Sequence, residues 1–444
     1  MHKSFPLLSD CLGDSPRFRG HDGDLDCSSF LRRLDTVAAQ LPRARYLINL
    51  CDDRSNFAVV LGVGLLRNTP CLLPPDRLDR THRALLKAYP GALEITDAHV
   101  VDARHKPRAS GSSRLSMSPP TPPSIDSATT AALAFAPVPG ALKPYPKPWG
   151  QLVWTARALA RRLDFGADRT VIATVPPQHM YGLEMSILLP LLMGVATVAE
   201  RPLFPADIRT VLARTRGEKV LVSTPVHLAA IASTAGTWPS VSRVISATAP
   251  LAPSLAERIE SLLDTRVHEL YGTTETGALA TRRTLDGPEW SWLDGVDRRQ
   301  RADGRISVRP GPFPAELTLS DKIELSDRGF RLLGSPPDLV KVAGKRASLA
   351  TLNRQLRAIP GVQAGAFVPN ADPTDAFGRP TAVVVAPSLD RDDILKGLQG
   401  RIDPLFLPRR IIMAPELPLD RTGQPCRDAL TALVAGQTDH PASR

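Results

Sequence analysis

The stretch His268-Glu269-Leu270-Tyr271-Gly272-Thr273-Thr274-Glu275-Thr276-Gly277 gathers side chains suited to phosphate chemistry. A short apolar strand runs into a turn rich in Gly and Thr that holds one carboxylate. Hydroxyls and backbone N–H groups on such a turn reach phosphate oxygens, and the Glu275 carboxylate suits Mg2+. The same residues also describe an ordinary strand-end turn. Three further segments carry candidate groups. Pro177-Gln178-His179-Met180-Tyr181-Gly182 offers a lone histidine, which is either a structural residue or a functional one. Ser246-Ala247-Thr248-Ala249-Pro250-Leu251 is a run of small residues after an apolar strand. Asp321 stands upstream of Gly329-Phe330 and Gly334 as a polar residue at the end of an element.

The flanking pattern says what must position these groups. Tyr46–Leu50 reads as a buried strand, Ser55 as the cap of a helix running to about Arg67, and the run at Cys71 as a second strand. Thr170–Pro176, Val195–Ala199, Val220–Ser223 and Val244–Ala247 read as apolar strands. Helical stretches separate them, among them Glu184–Met193 and Pro205–Ala213 with proline in its first turn. Repeated alternation of apolar strands with helices implies a largely parallel sheet covered on both faces, an α/β architecture. Residues 102–130, dominated by Pro, Ser, Thr and Arg, read as a surface loop or linker. Residues 1–25 read as a disordered or misassigned start. The character changes after Gly334. Ser335-Pro336-Pro337 is a breaker cluster and a candidate hinge, and residues 338–444 read as a small α+β domain with helices at Leu349–Ile359 and Arg391–Ile402.

Composition removes several function classes. The chain has 444 residues, enough for two domains, with 43% hydrophobic and 23% charged residues, as in a globular protein. Its net charge of +10 comes without a basic run interleaved with aromatics, so nucleic-acid binding is not indicated, whereas an acidic protein partner is compatible. The five cysteines are odd in number and form no CxxC pair, which argues against a disulfide scaffold or zinc site and fits a reducing cytoplasm. No apolar run reaches the roughly 18 residues of a membrane span, and the N-terminus lacks the apolar core of a signal peptide.

The segments, taken in order, resemble the adenylate-forming (AMP-binding) superfamily of acyl and aryl ligases. HELYGTTETG looks like its Y-G-x-T-E signature, SATAPL its S-G-G-A-P-L segment, and PPQHMYG its H-x-x-G segment. Asp338-Leu339-Val340-Lys341-Val342-Ala343-Gly344 resembles the D-x-I-K-x-x-G stretch that opens the C-terminal domain. The resemblance spans about residues 45 to 430. It implies a large N-terminal AMP-binding domain (26–334), the hinge at 335–337 and a small C-terminal domain. It further implies ATP and Mg2+ as cofactors and a small carboxylic acid, aromatic or fatty, activated as acyl-AMP. The acyl group then passes to the thiol of CoA or of a phosphopantetheine-bearing acyl carrier protein. By the same resemblance Thr274 contacts phosphate and Glu275 holds Mg2+-ATP. Tyr271 stacks near the adenine, Gly272 and Thr273 belong to the same cofactor-binding turn, and Ser246 and Ala247 lie beside the nucleotide. Asp321 binds the ribose hydroxyls by charge-assisted bonds. His179 borders the acyl pocket, and Lys341 belongs to the hinge-side stretch. The compact N-terminal part and PPQHMYGLE are similar to short ligases of aryl-polyene and xanthomonadin-type pigment pathways.

Three segments depart from that pattern. The phosphate loop T-S-G-S-T-G-x-P-K corresponds to Phe135-Ala136-Pro137-Val138-Pro139-Gly140-Ala141-Leu142-Lys143, which keeps Gly140 and Lys143 but no hydroxyl. Two prolines have entered, each without an N–H. Losing two or three bonds to charged oxygens weakens phosphate binding on the order of a hundredfold. Ser335 replaces an Arg that contacts the nucleotide sugar. Gln424 stands where the family has the Lys that bridges carboxylate and α-phosphate, a loss of about 10²–10³ in rate. The departures support a second reading, a degenerate member that binds nucleotide, acyl group or partner without efficient adenylation.

Overall fold

A computed structural model describes residues 3–9, 15–20, 23–105, 121–138, 141–166, 168–311, 316–327, 329–334, 339–343, 345–370, 378–418 and 427–436. Gly140, the expected hinge at 335–337 and Gln424 lie outside them. The chain divides into two compact units. The larger comprises Met1–Pro75, His82–Ala136 and Pro144–Gly334, and the smaller Asp76–Thr81, Pro137–Lys143 and Ser335–Arg444.

The larger unit is α/β and is dominated by an eleven-stranded sheet. Phe18–Gly20, Ala196–Val198, Arg169–Ala173, Glu218–Ser223, Arg243–Ser246 and Val267–Thr273 lie side by side and parallel. The sheet then turns antiparallel through Gly277–Arg283, Glu289–Trp292, Phe330–Gly334 and Lys322–Leu325. Alternation of side chains explains why the parallel strands are apolar throughout. Ile172, Leu221, Val244 and Val267 pack on one face with Ile208, Leu228 and Ile259. The helices Pro205–Arg214, Pro225–Ser233 and Pro253–Leu263 supply those three residues. Val171, Val222 and Ile245 point to the other face, against Leu159, Met185 and Leu189. Because four neighbouring parallel strands end at one edge, the loops after Ala173, Ser223, Ser246 and Thr273 gather there, where open α/β sheets bind ligands. A second sheet of five strands orders Ala92–Ile95, Tyr46–Asn49, Cys71–Leu73, Thr130–Val138 and Ala141–Pro148. The helix Trp149–Arg162 follows directly, with Trp149 fully buried at its start.

Three expectations are corrected. Residues 1–25 are not an irregular start where they are described. Phe18–Gly20 joins the large sheet beside Ala196–Val198, the Phe18 ring stacks on Phe30 with centroids 5.8 Å apart, and Leu7 and Leu8 are buried. Three-residue strands between polar flanks carry too little periodicity to be read locally, and their partner lies far along the chain. The 102–130 loop is likewise interrupted: the helix Asp97–His105 enters it, and the strand Ser124–Asp126 pairs with Ser4–Pro6. The helix Arg54–Leu66 is capped by Asp53 rather than Ser55; Asp53 accepts the Asn56 N–H at 3.0 Å, as Asp does at an N-cap. In addition, Cys27 is disulfide-bonded, which no spacing in the sequence announces, whereas Cys51 and Cys71 are buried free thiols.

The smaller unit pairs Leu339–Val342 with Lys345–Ser348 in a hairpin, followed by the helix Leu349–Arg357. A three-stranded sheet of Ala364–Val368, Thr381–Val385 and Ile411–Met413 carries the helices Arg391–Leu398 and Arg427–Gly436. Its core is Val340, Leu352, Leu356, Phe367, Val384 and Ile394.

Candidate functional site

The strand Val267–Thr273 and the strand Gly277–Arg283 form an antiparallel hairpin whose turn is Thr274-Glu275-Thr276. The register slips between Tyr271 and Gly272, a bulge that re-aims the side chains leading into the turn. Gly272 is required there, because a Cβ at this position would stand 2.3 Å from the Gly277 carbonyl oxygen. Thr273 and Thr276 close the turn. Each donates its backbone N–H to the other's hydroxyl at 3.2 Å, and the two hydroxyls lie 3.1 Å apart. Thr274 and Glu275, both half-buried, form the tip of this braced turn.

Side chains from three elements hold the turn by its backbone. Lys147 Nζ donates to the Glu275 carbonyl at 2.6 Å, and Gln151 Nε2 to the Thr276 carbonyl at 3.1 Å. The Ala278 N–H donates to Glu184 Oε1 at 3.0 Å. Lys147 and Glu184 are almost fully buried. Desolvation lowers the Lys147 ammonium to about 8, against the pull of Glu184 and Glu275. Desolvation also raises Glu184 to about 7, offset by the Ala278 N–H and by Lys147. Two opposite charges buried together offset part of each other's desolvation cost. Sequence reasoning passed over both residues. The available signal was a carboxylate, Glu184, inside an otherwise apolar helix, where an unpaired charge would be costly.

His179 caps the helix Met180–Leu183, which continues as a π-turn over Glu184–Leu188 and then as Leu189–Met193. The exposed His179 ring accepts the Tyr181 N–H on Nδ1 at 3.3 Å. Single π-turns within helices often mark functional sites. Here the turn sets Glu184 against the hairpin, and the Ser186 hydroxyl donates to the Gly182 carbonyl at 2.6 Å. Gly182 must be glycine, since a Cβ would lie 2.0 Å from the Pro176 carbonyl oxygen. The loop before His179 is fixed from below. Arg54, fully buried, donates to the carbonyls of Ala173 and Val175 at 2.6 and 2.8 Å, and Gln178 to that of Cys51 at 2.7 Å.

Tyr271 and Asp321 are brought together, with the Tyr271 hydroxyl 3.0 Å from Asp321 Oδ2. The Tyr271 ring meets Phe330 edge-on at 5.5 Å and Trp290 at 5.7 Å. Ser246 ends its strand fully buried, in register with Ser223 and Glu269, and its hydroxyl makes no hydrogen bond among the described residues. Ala247 is buried, and Thr248 follows with φ of 83°, its buried hydroxyl also unpaired. Nearby, Glu269 is sealed by Arg282 in a bidentate ion pair at 2.7 to 3.1 Å. Thus Tyr271, Gly272, Thr273, Thr274, Glu275, Ser246, Ala247, Asp321 and His179 all sit in the larger unit, on or beside one edge of its main sheet. Lys143 and Lys341 belong to the smaller unit. Lys143 is exposed on the strand Ala141–Pro148, and Lys341 is half-buried opposite Arg346.

The donor set fits a nucleotide and one divalent cation. The orphaned Ser246 and Thr248 hydroxyls and the buried Asp321 carboxylate are polar groups of the kind a nucleoside satisfies. No cluster of three or more His, Cys, Asp or Glu side chains exists among the described residues. A cation at Glu275 would complete its shell with phosphate and water oxygens, the usual habit of Mg2+. Two open depressions of about 330 and 310 Å3 lie at and beside the separate three-stranded sheet of Val296–Gln300, Ile306–Pro310 and Leu317–Thr318. They are lined by Arg299, Arg301 and Glu316 and by Arg162, Trp292 and Arg298, and neither includes a residue of the turn.

Comparison with known proteins bears on the family and the fold. The sequence profile of the AMP-binding enzyme family matches residues 146–299. A 4-coumarate–CoA ligase of Rhodobacter capsulatus is 30% identical over 296 residues, which cover 64% of this chain and 72% of that protein. An o-succinylbenzoate CoA synthetase double mutant from Bacillus subtilis has the same fold, with a TM-score of 0.80 at 16% identity, covering 94% of this chain and 96% of that one. The amide bond synthetase McbA from Marinactinospora thermotolerans superposes with a TM-score of 0.79 at 17% identity, covering 96% and 98%. A profile match that takes in the braced turn and a relative aligned over most of its length lead to one conclusion: the chain belongs to the AMP-binding enzyme family.

Proposed function

We propose that this chain is an AMP-forming acid–thiol ligase. It activates a small carboxylic acid, aromatic or fatty, as the acyl-adenylate and passes the acyl group to the thiol of CoA or of an acyl carrier protein. The observation that carries the reading is the braced Thr274–Glu275 turn beside the Tyr271–Asp321 pair, at the edge where the parallel strands end. In this reading Thr274 donates to phosphate and Glu275 faces Mg2+. Asp321, oriented by the Tyr271 hydroxyl, accepts from the ribose hydroxyls, and Ser246 and Ala247 line the base. His179 borders the acid. Bound Mg2+ would neutralise phosphate charge as the carboxylate attacks and pyrophosphate leaves. Lys143, Gly140, Lys341 and Gln424 are assigned by resemblance alone. The 4-coumarate–CoA ligase likeness supports an aromatic acid. The PPQHMYGLE stretch supports the narrower assignment to pigment-pathway ligases. No described helix is long and apolar enough to cross a membrane.

A specific observation favours the second reading, a member that binds nucleotide or acyl group with little adenylation. The strand Thr130–Val138 and the strand Ala141–Pro148 leave only positions 139 and 140 between them, where the family carries a hydroxyl-bearing phosphate loop. Pro137 and Pro139 add no donors. Pyrophosphate release from ATP with a panel of aromatic and fatty acids separates the readings. The ligase reading expects release above that of a Glu275→Ala variant, by about tenfold or more given what one lost electrostatic group costs. Equal rates would leave the binding reading, which calorimetric titration with AMP then tests.

A further inference from the structure

The turn that presents Thr274 and Glu275 is closed by Thr273 and Thr276 and is also gripped by its backbone from outside the hairpin. Three side chains do this, and two of them, Lys147 and Glu184, are buried charges from distant parts of the chain. Lys147 is the penultimate residue of the strand Ala141–Pro148, two positions before the helix Trp149–Arg162. Glu184 opens the π-turn of the helix that His179 caps. One fixes the carbonyl of Glu275 itself, and the other fixes the amide of Ala278, just beyond the turn. A turn gripped on both sides cannot translate along the hairpin without breaking a buried bond to a charged group.

From this geometry we infer that Lys147 and Glu184 are positioning residues that set where Thr274 and Glu275 stand, and through them the efficiency of nucleotide activation. Burying a lysine and a glutamate is a costly way to build a turn that hydroxyls alone already close, since each ionisable group is taken out of water. The arrangement gains a fixed backbone under the two reactive side chains, where misplacement by about 1 Å costs on the order of a hundredfold in rate. It also joins two halves of the site, because the helix that carries Glu184 starts at His179. This assignment rests on the ligase reading for its consequence, but its structural content is independent.

The test compares Glu184→Gln, Glu184→Leu and Lys147→Met in the full chain. Gln keeps an oxygen acceptor for the Ala278 N–H, whereas Leu has similar bulk and none. Pyrophosphate release at varied acid and saturating ATP should fall a few-fold in E184Q and by about a hundredfold in E184L and K147M, mainly in kcat, with the half-saturating acid concentration little changed. A packing role alone would affect E184Q and E184L alike. Deuterium exchange over residues 271–283 should speed up in E184L and K147M, and much less in E184Q. If K147M fails to fold, the two Glu184 variants still decide. Equal rates and equal exchange in E184Q and E184L would overturn the assignment. If the wild-type chain neither releases pyrophosphate nor binds AMP, the ligase reading fails. The clamp is then judged by exchange alone, and unchanged exchange at 271–283 in all three variants overturns it.

Discussion

Thr248 is the residue at which chemistry and backbone disagree most openly. The superfamily pattern has glycine here, and this chain places a β-branched residue at φ of 83°, with its hydroxyl buried and unpaired among the described residues. A left-handed conformation costs an L-residue about 1–2 kcal/mol, and an unsatisfied buried hydroxyl adds to that. Thr248→Gly should therefore raise stability by about 1 kcal/mol, after allowing for the larger unfolded-state entropy of glycine. Urea unfolding measures it, with Thr248→Ala as the comparison that keeps the Cβ. A T248G no more stable than T248A would mean that the backbone there is not strained. Retention of such a residue beside Ser246 fits a site where polar groups await a ligand.

At the scale of elements, the site depends on close approaches that only glycine permits. Gly182 lets the first turn of the Met180–Leu183 helix lie on the Pro176 carbonyl, which holds His179 as the cap. Gly182→Ala should cost about 1–3 kcal/mol, as overpacking of a tight contact does. The shift appears in the denaturation midpoint, and a change within about 0.5 kcal/mol would place Gly182 among ordinary surface substitutions. Individual strands and helices of the parallel region were legible because apolar runs, proline at helix starts and small-residue turns recur at short range. The strands at Ser4–Pro6, Phe18–Gly20 and Ser124–Asp126 were not, because each is three residues long and is stabilised by a distant partner. The π-turn at Glu184–Leu188 was equally silent, since its sequence reads as plain helix.

For the whole molecule, one histidine in the main sheet contributes to the dependence of stability on acid. His268 is lowered to about 4 by burial first, then by Arg243 and Arg283, with Glu260 and Asp286 opposing. The unfolded chain binds a proton near pH 6.5 that the folded chain refuses until about pH 4. The stability contributed by keeping His268 neutral is thus present above about pH 6.5 and lost as pH falls toward 4. Thermal unfolding between pH 7 and 4 should show a drop in Tm that His268→Gln reduces. An identical pH profile in the variant would show that other groups set the acid limit. The charge of +10 adds a general repulsion that grows as carboxylates protonate, and it acts on both chains alike.

The sequence by itself determined family, fold class and the identity of the turn, because those depend on short motifs in a fixed order and on hydrophobic period. HELYGTTETG, PPQHMYG and Asp321 were each visible as residues. Only the tertiary structure decided what holds them. Lys147, Gln151 and Glu184 reach the turn from positions 94 to 128 residues away, through bonds to backbone atoms whose partners no local pattern encodes. The Tyr271–Asp321 bond spans 50 residues for the same reason. Buried hydrogen bonds to backbone depend on where the chain passes in space, and sheet order fixes that only after all the strands have found their neighbours.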